Sequence, residues 1–265
     1  MTHQERVHLA HEIALSATQG GEVHACGCEV ATESTATLIA HGVEQPPPVL
    51  AVSIDQAFLR PDATSMEVKH FLASAVSVGF RSVCLPPRWA ALALRVLRGT
   101  ETIVASLVNH PHGTSLTPVK CAEAETLLRL GVQELSMVAD IGAIRSGDLD
   151  AAFTDIRAVA SVAQCRSVRL NVILNIPLLD ERQKIEACVV AKLAGAHSAV
   201  SATACEGLGT DLRDIELMRR TVGGDLDVVA GGEIRTIDDA RKALSAGATR
   251  VVTEHGNNIA VQAIS

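Results

Sequence analysis

Residues 102–138 read TIVASLVNHPHGTSLTPVKCAEAETLLRLGVQELSMV and contain one strand–helix–strand unit. The run at 102–108 is apolar and rich in β-branched residues, which favours a buried strand. A helical pattern follows at 118–130 and ends at Gly131, a residue type that commonly terminates helices. A second apolar run at 132–138 completes the unit. This order predicts two neighbouring parallel strands joined by a crossover helix.

The same unit recurs along the chain. Apolar runs lie at 49–54, 82–85, 102–108, 132–138, 168–174, 198–202, 226–230 and 249–252. They lack strict alternation, as expected of parallel strands that are buried on both faces. Eight such units fit a closed (β/α)8 barrel better than an open doubly wound sheet. We therefore predict an α/β protein with a TIM barrel at 49–265 and an N-terminal extension at 1–48, in which segments 13–17 and 38–40 are helical.

Composition limits the classes of function. The 265-residue chain carries 30 acidic and 23 basic side chains, a net charge of −7, which argues against binding to nucleic acid. No apolar run is long enough for a membrane span, and the N-terminus lacks a signal-peptide core. We expect a cytoplasmic protein that binds a small molecule and forms a homodimer or larger homo-oligomer. The seven cysteines are odd in number and scattered, so we interpret them as reduced thiols.

Two groups of residues resemble parts of metal sites, and both are disfavoured as metal ligands. His24, Cys26 and Cys28 resemble half of a zinc site, but no second Cys/His pair stands at a matching spacing. A site of His110, His112, Glu233 and His255 would need a chelate across Pro111, which stiffens the turn. We therefore predict no metal and no cofactor.

In a (β/α)8 barrel the chemistry takes place where strands end and βα loops begin. Polar residues at those ends are the candidates for acid–base catalysis: Asp55, His110, Asp140, Glu233, Glu254 and His255. The candidates for substrate binding are Ser53, Cys84, Ser136, Asn171, Asn175, Ser201 and Thr203. Structural roles are the alternative for single residues: Glu233 could pair with Arg235 or Arg250 at the rim, and His110 could cap the loop before Pro111.

Two cysteines near predicted strand ends are candidate nucleophiles: Cys84 and Cys205. Packing is the better interpretation for Cys84. Glu206 beside Cys205 would raise the pKa of that thiol rather than lower it.

Several motifs resemble the deoxyribose-phosphate aldolase family in the family's order. They are 53–64 (SIDQAFLRPDAT), 83–87 (VCLPP), 109–113 (NHPHG), 134–138 (ELSMV), 146–149 (SGDL), 172–174 (VIL) and 231–236 (GGEIRT). The resemblance implies a single TIM barrel from about residue 49 onward. It also implies that Asp55 belongs to a proton-relay network.

Other positions depart from that family. The resemblance implies an imine-forming lysine on strand six and a second lysine on strand seven, where this chain has Val200 and Val229. It implies an aspartate on strand four and a lysine on strand five, where this chain has Ser136 and Asn171. The five lysines of the chain all fall in or beside predicted helices: Lys69, Lys120, Lys184, Lys192 and Lys242. The chain is identified as a divergent member that lacks the Schiff-base lysine.

The expected phosphate site differs as well. Glu233 and Glu254 stand in the two turns where the family holds phosphate, and no tyrosine exists for the family's C-terminal role. A carboxylate beside a phosphate is repelled by it. We therefore expect a repurposed barrel that performs cofactor-free acid–base chemistry on a small, non-phosphorylated, neutral or cationic metabolite in specialised biosynthesis. The reaction would be a cyclisation, isomerisation, dehydration or non-covalent aldol-type step; the alternative is a non-catalytic pseudoenzyme that binds a metabolite or a protein.

Overall fold

The computed structural model describes residues 51–203 and 209–263. Eight parallel strands close into a barrel in sequence order. They are β1 Ile54–Ala57, β2 Ser82–Leu85, β3 Ile103–Val108, β4 Glu134–Val138, β5 Arg169–Ile173, β6 Ser198–Val200, β7 Asp227–Ala230 and β8 Arg250–Thr253. The last strand pairs with the first, with Asp55 opposite Val252. The predicted TIM barrel is confirmed.

The α-helices alternate with the strands and cover the barrel. They are α1 Ser65–Val78, α2 Pro87–Val96, α3 Thr117–Leu130, α4 Ile141–Arg145, α5 Leu149–Gln164, α6 Glu181–Ala194, α7 Leu212–Val222, α8 Ile237–Ser245 and α9 Gly256–Gln262. A 3₁₀ turn, Ile176–Leu178, precedes α6.

Local sequence explains where the helices begin and end. Thr64 caps α1 in a reciprocal pair with Glu67, and Asp180 caps α6 in the same way with Gln183. Such capping boxes satisfy two of the N–H groups that a helix start leaves open. Gly131 ends α3 in the left-handed conformation, at φ 100°, as its position after the helical pattern predicted.

Of the predicted strands, the first differs most in position from the strand in the structure. The apolar run at 49–54 predicted a strand there, whereas β1 is Ile54–Ala57 and contains Asp55 and Gln56. Hydropathy misplaced this strand because Asp55 is polar and yet buried, with its charge balanced by arginines inside the barrel.

Two apolar layers hold the barrel together. The larger one lies between the strands and the surrounding helices and includes Leu72, Leu135, Ile156 and Leu170. The smaller one lies inside the barrel: Ala57, Cys84, Ala105, Leu107, Val138, Ile173, Val200 and Val229. Because side chains alternate between the two sides of a strand, neighbours such as Val228 and Val229 belong to different layers.

The predicted extension at 1–48, with its helical segments and with Cys26 and Cys28, lies outside the described residues. Within 51–203 and 209–263, none of the helices combines the length and the apolar character that crossing a membrane requires.

Candidate active site

A pocket opens at the carboxyl ends of the strands, where βα loops surround the barrel axis. Its wall has three levels. Charged and amide side chains form the base, aliphatic side chains form the middle, and hydroxyl, imidazole and backbone groups form the mouth.

Six alternating charges form a closed ring at and below the base, here called the charged ring. In order around the barrel they are Asp55, Arg81, Glu134, Arg169, Asp227 and Arg250. The Arg81–Asp55, Arg169–Asp227 and Arg250–Asp55 contacts measure 2.7, 2.6 and 2.8 Å. Arg169–Glu134 and Arg250–Asp227 are longer, at 3.6 and 3.9 Å. Arg81 also pairs with Glu134.

The charged ring favours the ionised form of Glu134. Burial by itself would raise the pKa of Glu134, but the hydrogen bond from Arg81 and the charges of Arg250 and Arg81 outweigh it. The pKa of Glu134 is therefore below its ordinary value.

Asp55 is fully engaged within the base. One carboxylate oxygen accepts hydrogen bonds from Arg81 at 2.7 Å and from Ser82 at 2.6 Å, and the other faces Arg250. Asp55 lines the pocket, as predicted for a catalytic candidate, but its oxygens are committed to these partners.

Asn171 and Ser136 also belong to the base. The Asn171 amide donates to Ser136 Oγ at 3.2 Å, and its oxygen accepts from Arg250 at 2.9 Å and from Ser198. Both predicted substrate-binding residues line the pocket, where they complete the hydrogen bonding of the base.

The middle level carries Cys84 among aliphatic side chains. Burial, reinforced by the negative charges of Asp55 and Glu134, raises the pKa of the Cys84 thiol to about 12. The group is a neutral thiol at physiological pH, which agrees with a packing role.

Val200 at the end of β6 and Val229 within β7 both line the pocket. All five lysines lie in the described part of the chain, on helices, and none of them lines the pocket. Four pair with aspartates: Lys120 with Asp155, Lys184 with Asp214, Lys192 with Asp225 and Lys242 with Asp238.

The loop after β3 brings His110 to the mouth of the pocket. The backbone N–H of Asn109 donates to Glu123 at 2.8 Å, and its side-chain oxygen accepts from the N–H of Ser115 at 2.9 Å. Gly113 allows the loop to lie against β4, because a Cβ there would approach the carbonyl oxygen of Ala139 to 2.2 Å. Burial, with a smaller effect from the charge of His112, lowers the pKa of His110 to about 4, so its imidazole is neutral at physiological pH.

Three other predicted residues build the loops after β5, β6 and β7. The Asn175 side chain accepts from the N–H of Thr203 at 2.9 Å, and Ser201 Oγ accepts from the N–H of Gly231 at 2.9 Å. Gly231 is required by close approach, because a Cβ would meet the carbonyl oxygen of Ala202 at 2.3 Å. Thr203 lines the pocket, whereas Asn175 and Ser201 hold its wall from behind.

The remaining predicted residues lie away from the pocket. Glu233 is exposed and pairs with Arg235 at 2.8 Å, which was the rim alternative. Glu254 accepts a hydrogen bond from the N–H of Leu59 at 2.9 Å, and Asp140 caps α4 by accepting from the N–H of Ala143 at 3.0 Å. His255 directly precedes α9, and Ser53 lies just before β1. None of these five side chains is part of the pocket wall.

Cys205 and Glu206 lie outside the described residues. Across the described ranges, no three His, Cys, Asp or Glu side chains come together in a way that could hold a metal ion.

Sequence reasoning missed most of the charged ring, because it searched only the carboxyl ends of the strands. Four of the six members are the first residues of their strands: Glu134, Arg169, Asp227 and Arg250. A charged residue at the start of an otherwise apolar strand, repeated in four strands, was the signal that could have identified them.

The chain resembles known proteins over most of its length. Residues 49–249 match the model of the family described as DeoC/LacD family aldolase. A deoxyribose-phosphate aldolase from Rhodospirillum rubrum is 42% identical over 220 residues, which cover 83% of this chain and 90% of the relative. One from Methanothermobacter thermautotrophicus is 38% identical over 211 residues, covering 79% and 93%.

Solved structures of similar proteins superpose on this chain. A protein from Coccidioides immitis superposes with a TM-score of 0.83 at 27% identity, covering 99% of this chain and 98% of its own. The tetrameric deoxyribose-phosphate aldolase of Aeropyrum pernix gives a TM-score of 0.75 at 26% identity, covering 84% and 92%.

These relatives overturn the expected function. The prediction of acid–base chemistry on a non-phosphorylated metabolite is wrong, since the relatives that span the chain are aldolases named for a phosphorylated sugar. They likewise favour a lyase over a cyclase, an isomerase or a non-catalytic binding protein. The physical error was to place Glu233 and Glu254 in the pocket mouth, whereas both carboxylates bond elsewhere. This chain belongs to the DeoC/LacD family of aldolases.

Proposed function

We propose that the chain is a carbon–carbon lyase of the deoxyribose-phosphate aldolase type, acting on a small phosphorylated sugar or a related aldol compound. The 42% identity to the Rhodospirillum rubrum enzyme over 83% of the chain carries this proposal. The pocket supports it, because it lies at the carboxyl ends of the strands, where (β/α)8 barrels perform their chemistry.

The mouth of the pocket suits a phosphate better than the sequence suggested. Its lining beside β6 and β7 includes Thr203 and Gly232, and no carboxylate belongs to this part of the wall. Beside β8, the Thr253 hydroxyl already donates to the carbonyl of Ile234 at 2.6 Å. Hydroxyl and backbone groups at this part of a (β/α)8 barrel commonly contact phosphate. We therefore place the phosphate end of the substrate at the mouth.

His110 is the proton-transfer group that we propose. Its imidazole lines the pocket and is neutral at physiological pH, so it can accept a proton from a substrate hydroxyl. In the cleavage direction the hydroxyl proton passes to His110, and the carbon–carbon bond breaks to give one aldehyde and the enolate of the second. The enolate carbon then takes the proton back from the His110 imidazolium, which releases the second aldehyde and restores the neutral imidazole.

We further propose that the chain is divergent in its covalent step and lacks the lysine that forms an imine. Support comes from Val200 at the end of β6 and from the positions of all five lysines outside the pocket wall. An imine requires an amine that reaches the carbonyl carbon.

One experiment tests both statements. Full-length protein is incubated with 2-deoxyribose 5-phosphate, and release of a two-carbon aldehyde and a three-carbon aldehyde phosphate is measured, with and without borohydride. We expect both products and no borohydride-dependent mass increase on any lysine. Absence of products from folded protein would overturn the lyase proposal, and a lysine adduct would overturn the divergent-step proposal.

Three further properties are proposed with this function. We propose cytoplasmic residence and a homo-oligomer, the latter supported by the tetramer described for the Aeropyrum pernix relative. We also propose that residues 1–48 are an extension to the barrel. Cell fractionation tests the location, and a membrane-bound fraction would contradict it. Light scattering tests the oligomer, and a monomer would contradict it. A variant that begins at residue 49 tests the extension, and an unfolded truncated barrel would contradict it.

A further inference from the structure

The middle level of the pocket is aliphatic on several sides. Leu107, Ile173, Val200 and Val229 line it from β3, β5, β6 and β7, and each is at most 5% exposed. We call these four residues the apolar collar. Ala57, Cys84 and Ala105 extend the same layer across β1, β2 and β3. The layer supplies no strong hydrogen-bonding side chain.

Most polar groups of the base below the collar already pair with one another. Asp55 accepts hydrogen bonds from Arg81 and Ser82 and forms an ion pair with Arg250. The Asn171 side chain bonds to Ser136 and Ser198 as well as to Arg250. A ligand hydroxyl that reached this depth would compete with these internal partners.

Polar ligand groups are better accommodated at the mouth, where His110 and Thr203 lie. The pocket is narrow, with about 40 Å³ open to the centres of water-sized groups. A ligand therefore fits with a short apolar end inside the collar and its polar end at the mouth.

We propose that the deep end of this pocket is an alkyl-binding subsite in which Val200 and Val229 determine specificity. The carbonyl fragment that enters the collar carries a hydrocarbon chain and not a hydroxylated one. This inference rests on the proposed function for its reaction, but the subsite itself is defined by binding.

The physical reason is the difference between burying a methyl group and burying a hydroxyl group. Each additional buried methylene strengthens binding about fourfold. A hydroxyl buried without a partner loses its bonds to water and gains nothing in return. Val200 and Val229 can provide no such partner, whereas threonine in the same place could.

Simple ketones test the subsite without requiring turnover. Binding of acetone, butan-2-one and hydroxyacetone to full-length protein is measured by NMR titration. Butan-2-one and hydroxyacetone have the same number of non-hydrogen atoms and differ only by a methyl or a hydroxyl group. We expect butan-2-one to bind about fourfold more tightly than acetone. We expect hydroxyacetone to bind about tenfold more weakly than butan-2-one.

Two variants assign the selectivity to the collar. Val200→Thr keeps the shape of the side chain and adds a hydroxyl, so the preference for butan-2-one over hydroxyacetone should fall about threefold or more. Val228→Thr is the matched control, because Val228 is buried in the layer outside the barrel and does not line the pocket. It should leave the preference unchanged. Thermal melts establish that both variants are folded.

The outcomes distinguish failure of the subsite from failure of the proposed lyase function. Equal or tighter binding of hydroxyacetone, no binding of any of the three ketones, or the same change in both variants would overturn the subsite. Selective ketone binding without cleavage of 2-deoxyribose 5-phosphate would overturn the proposed lyase function alone. Cleavage without ketone selectivity would overturn the subsite alone.

Discussion

Arg250 Nε lies 2.8 Å from Asp55 Oδ2, and this contact joins the last strand of the barrel to the first. Both side chains are almost completely buried, and their strands are also paired through the backbone. The contact is one link of the charged ring, so barrel closure and charge compensation depend on the same residues.

Removing one member of the charged ring should be costly, because its two neighbours each lose a partner and the largely buried ring is left with an uncompensated net charge. We expect Arg250→Met to lower the free energy of unfolding by about 3–5 kcal/mol. This corresponds to about 6–20 °C in the melting temperature of a domain of this size. Arg213→Met, which removes an exposed pair with Asp211, should change the free energy of unfolding far less, because water screens that pair. Equal effects in urea denaturation would contradict this view of the ring.

Glu134 should make stability depend on pH in the acidic range. Its pKa in the folded protein lies below the ordinary value of 4.5, so the unfolded chain binds more protons as the pH falls. The stabilisation is complete above the unfolded pKa and is lost as the pH falls through the folded pKa. Glu134→Gln should therefore flatten the decline of unfolding free energy below about pH 4.5.

The matched control for Glu134 is Glu125→Gln. Glu125 is exposed and lies 3.9 Å from Arg129, so its replacement should leave the pH dependence as it is. A decline of the same steepness in both variants would show that Glu134 does not contribute.

His110→Phe should impair turnover, whereas His112→Phe should not. His110 lines the pocket and His112 is exposed two residues further on. If His110 transfers the proton, its loss should lower kcat/KM by about 10²–10⁴. The acidic limb of the pH–rate profile should lie near pH 4, following the lowered pKa of His110, and not near 6.5. Similar kinetics for both variants would exclude His110 from proton transfer.

Cys84 should resist alkylation even though it lines the pocket. Its pKa of about 12 leaves almost no thiolate at pH 8, and Cys188 has a similarly raised pKa. Cys165 is exposed and should react readily with iodoacetamide. Mass spectrometry of peptides from folded protein measures the labelling of all three; labelling of Cys84 as fast as Cys165 would contradict the assignment.

Gly113→Ala should destabilise the loop that carries His110. The added Cβ would lie 2.2 Å from the carbonyl oxygen of Ala139, and the residue has φ 72°. Gly147→Ala is the matched control, because Gly147 has φ 76° but no atom within 4 Å of an added Cβ. We expect about 1–2 kcal/mol for the control, from backbone strain alone, and a clearly larger loss of unfolding free energy for Gly113→Ala. Equal losses would show that the close approach to Ala139 is easily relieved.

The barrel could be predicted from the sequence because parallel strands are apolar runs with helices between them. Residues 82–85 coincide with β2, and Gly131 ends α3 where the pattern predicted. The first strand was misplaced because Asp55 and Gln56 are polar residues inside a barrel, and hydropathy cannot show that arginines from distant strands compensate such a charge.

The site was predicted less completely, for a different physical reason. Strand ends identify which loops surround the pocket, and His110, Ser136 and Thr203 do line it. They do not identify the direction of a side chain. Glu233 and Glu254 follow strand ends, but short-range partners in Arg235 and the N–H of Leu59 hold them outside the pocket.

The charged ring contains three arginines and three carboxylates, so its charges sum to zero. A neutral closed ring has a weak field at a distance, because each charge is offset by its two neighbours. Far from the pocket the ring therefore exerts little net pull on a charged ligand that approaches from solvent. A dependence of the association rate on ionic strength should originate mainly in charges outside the ring.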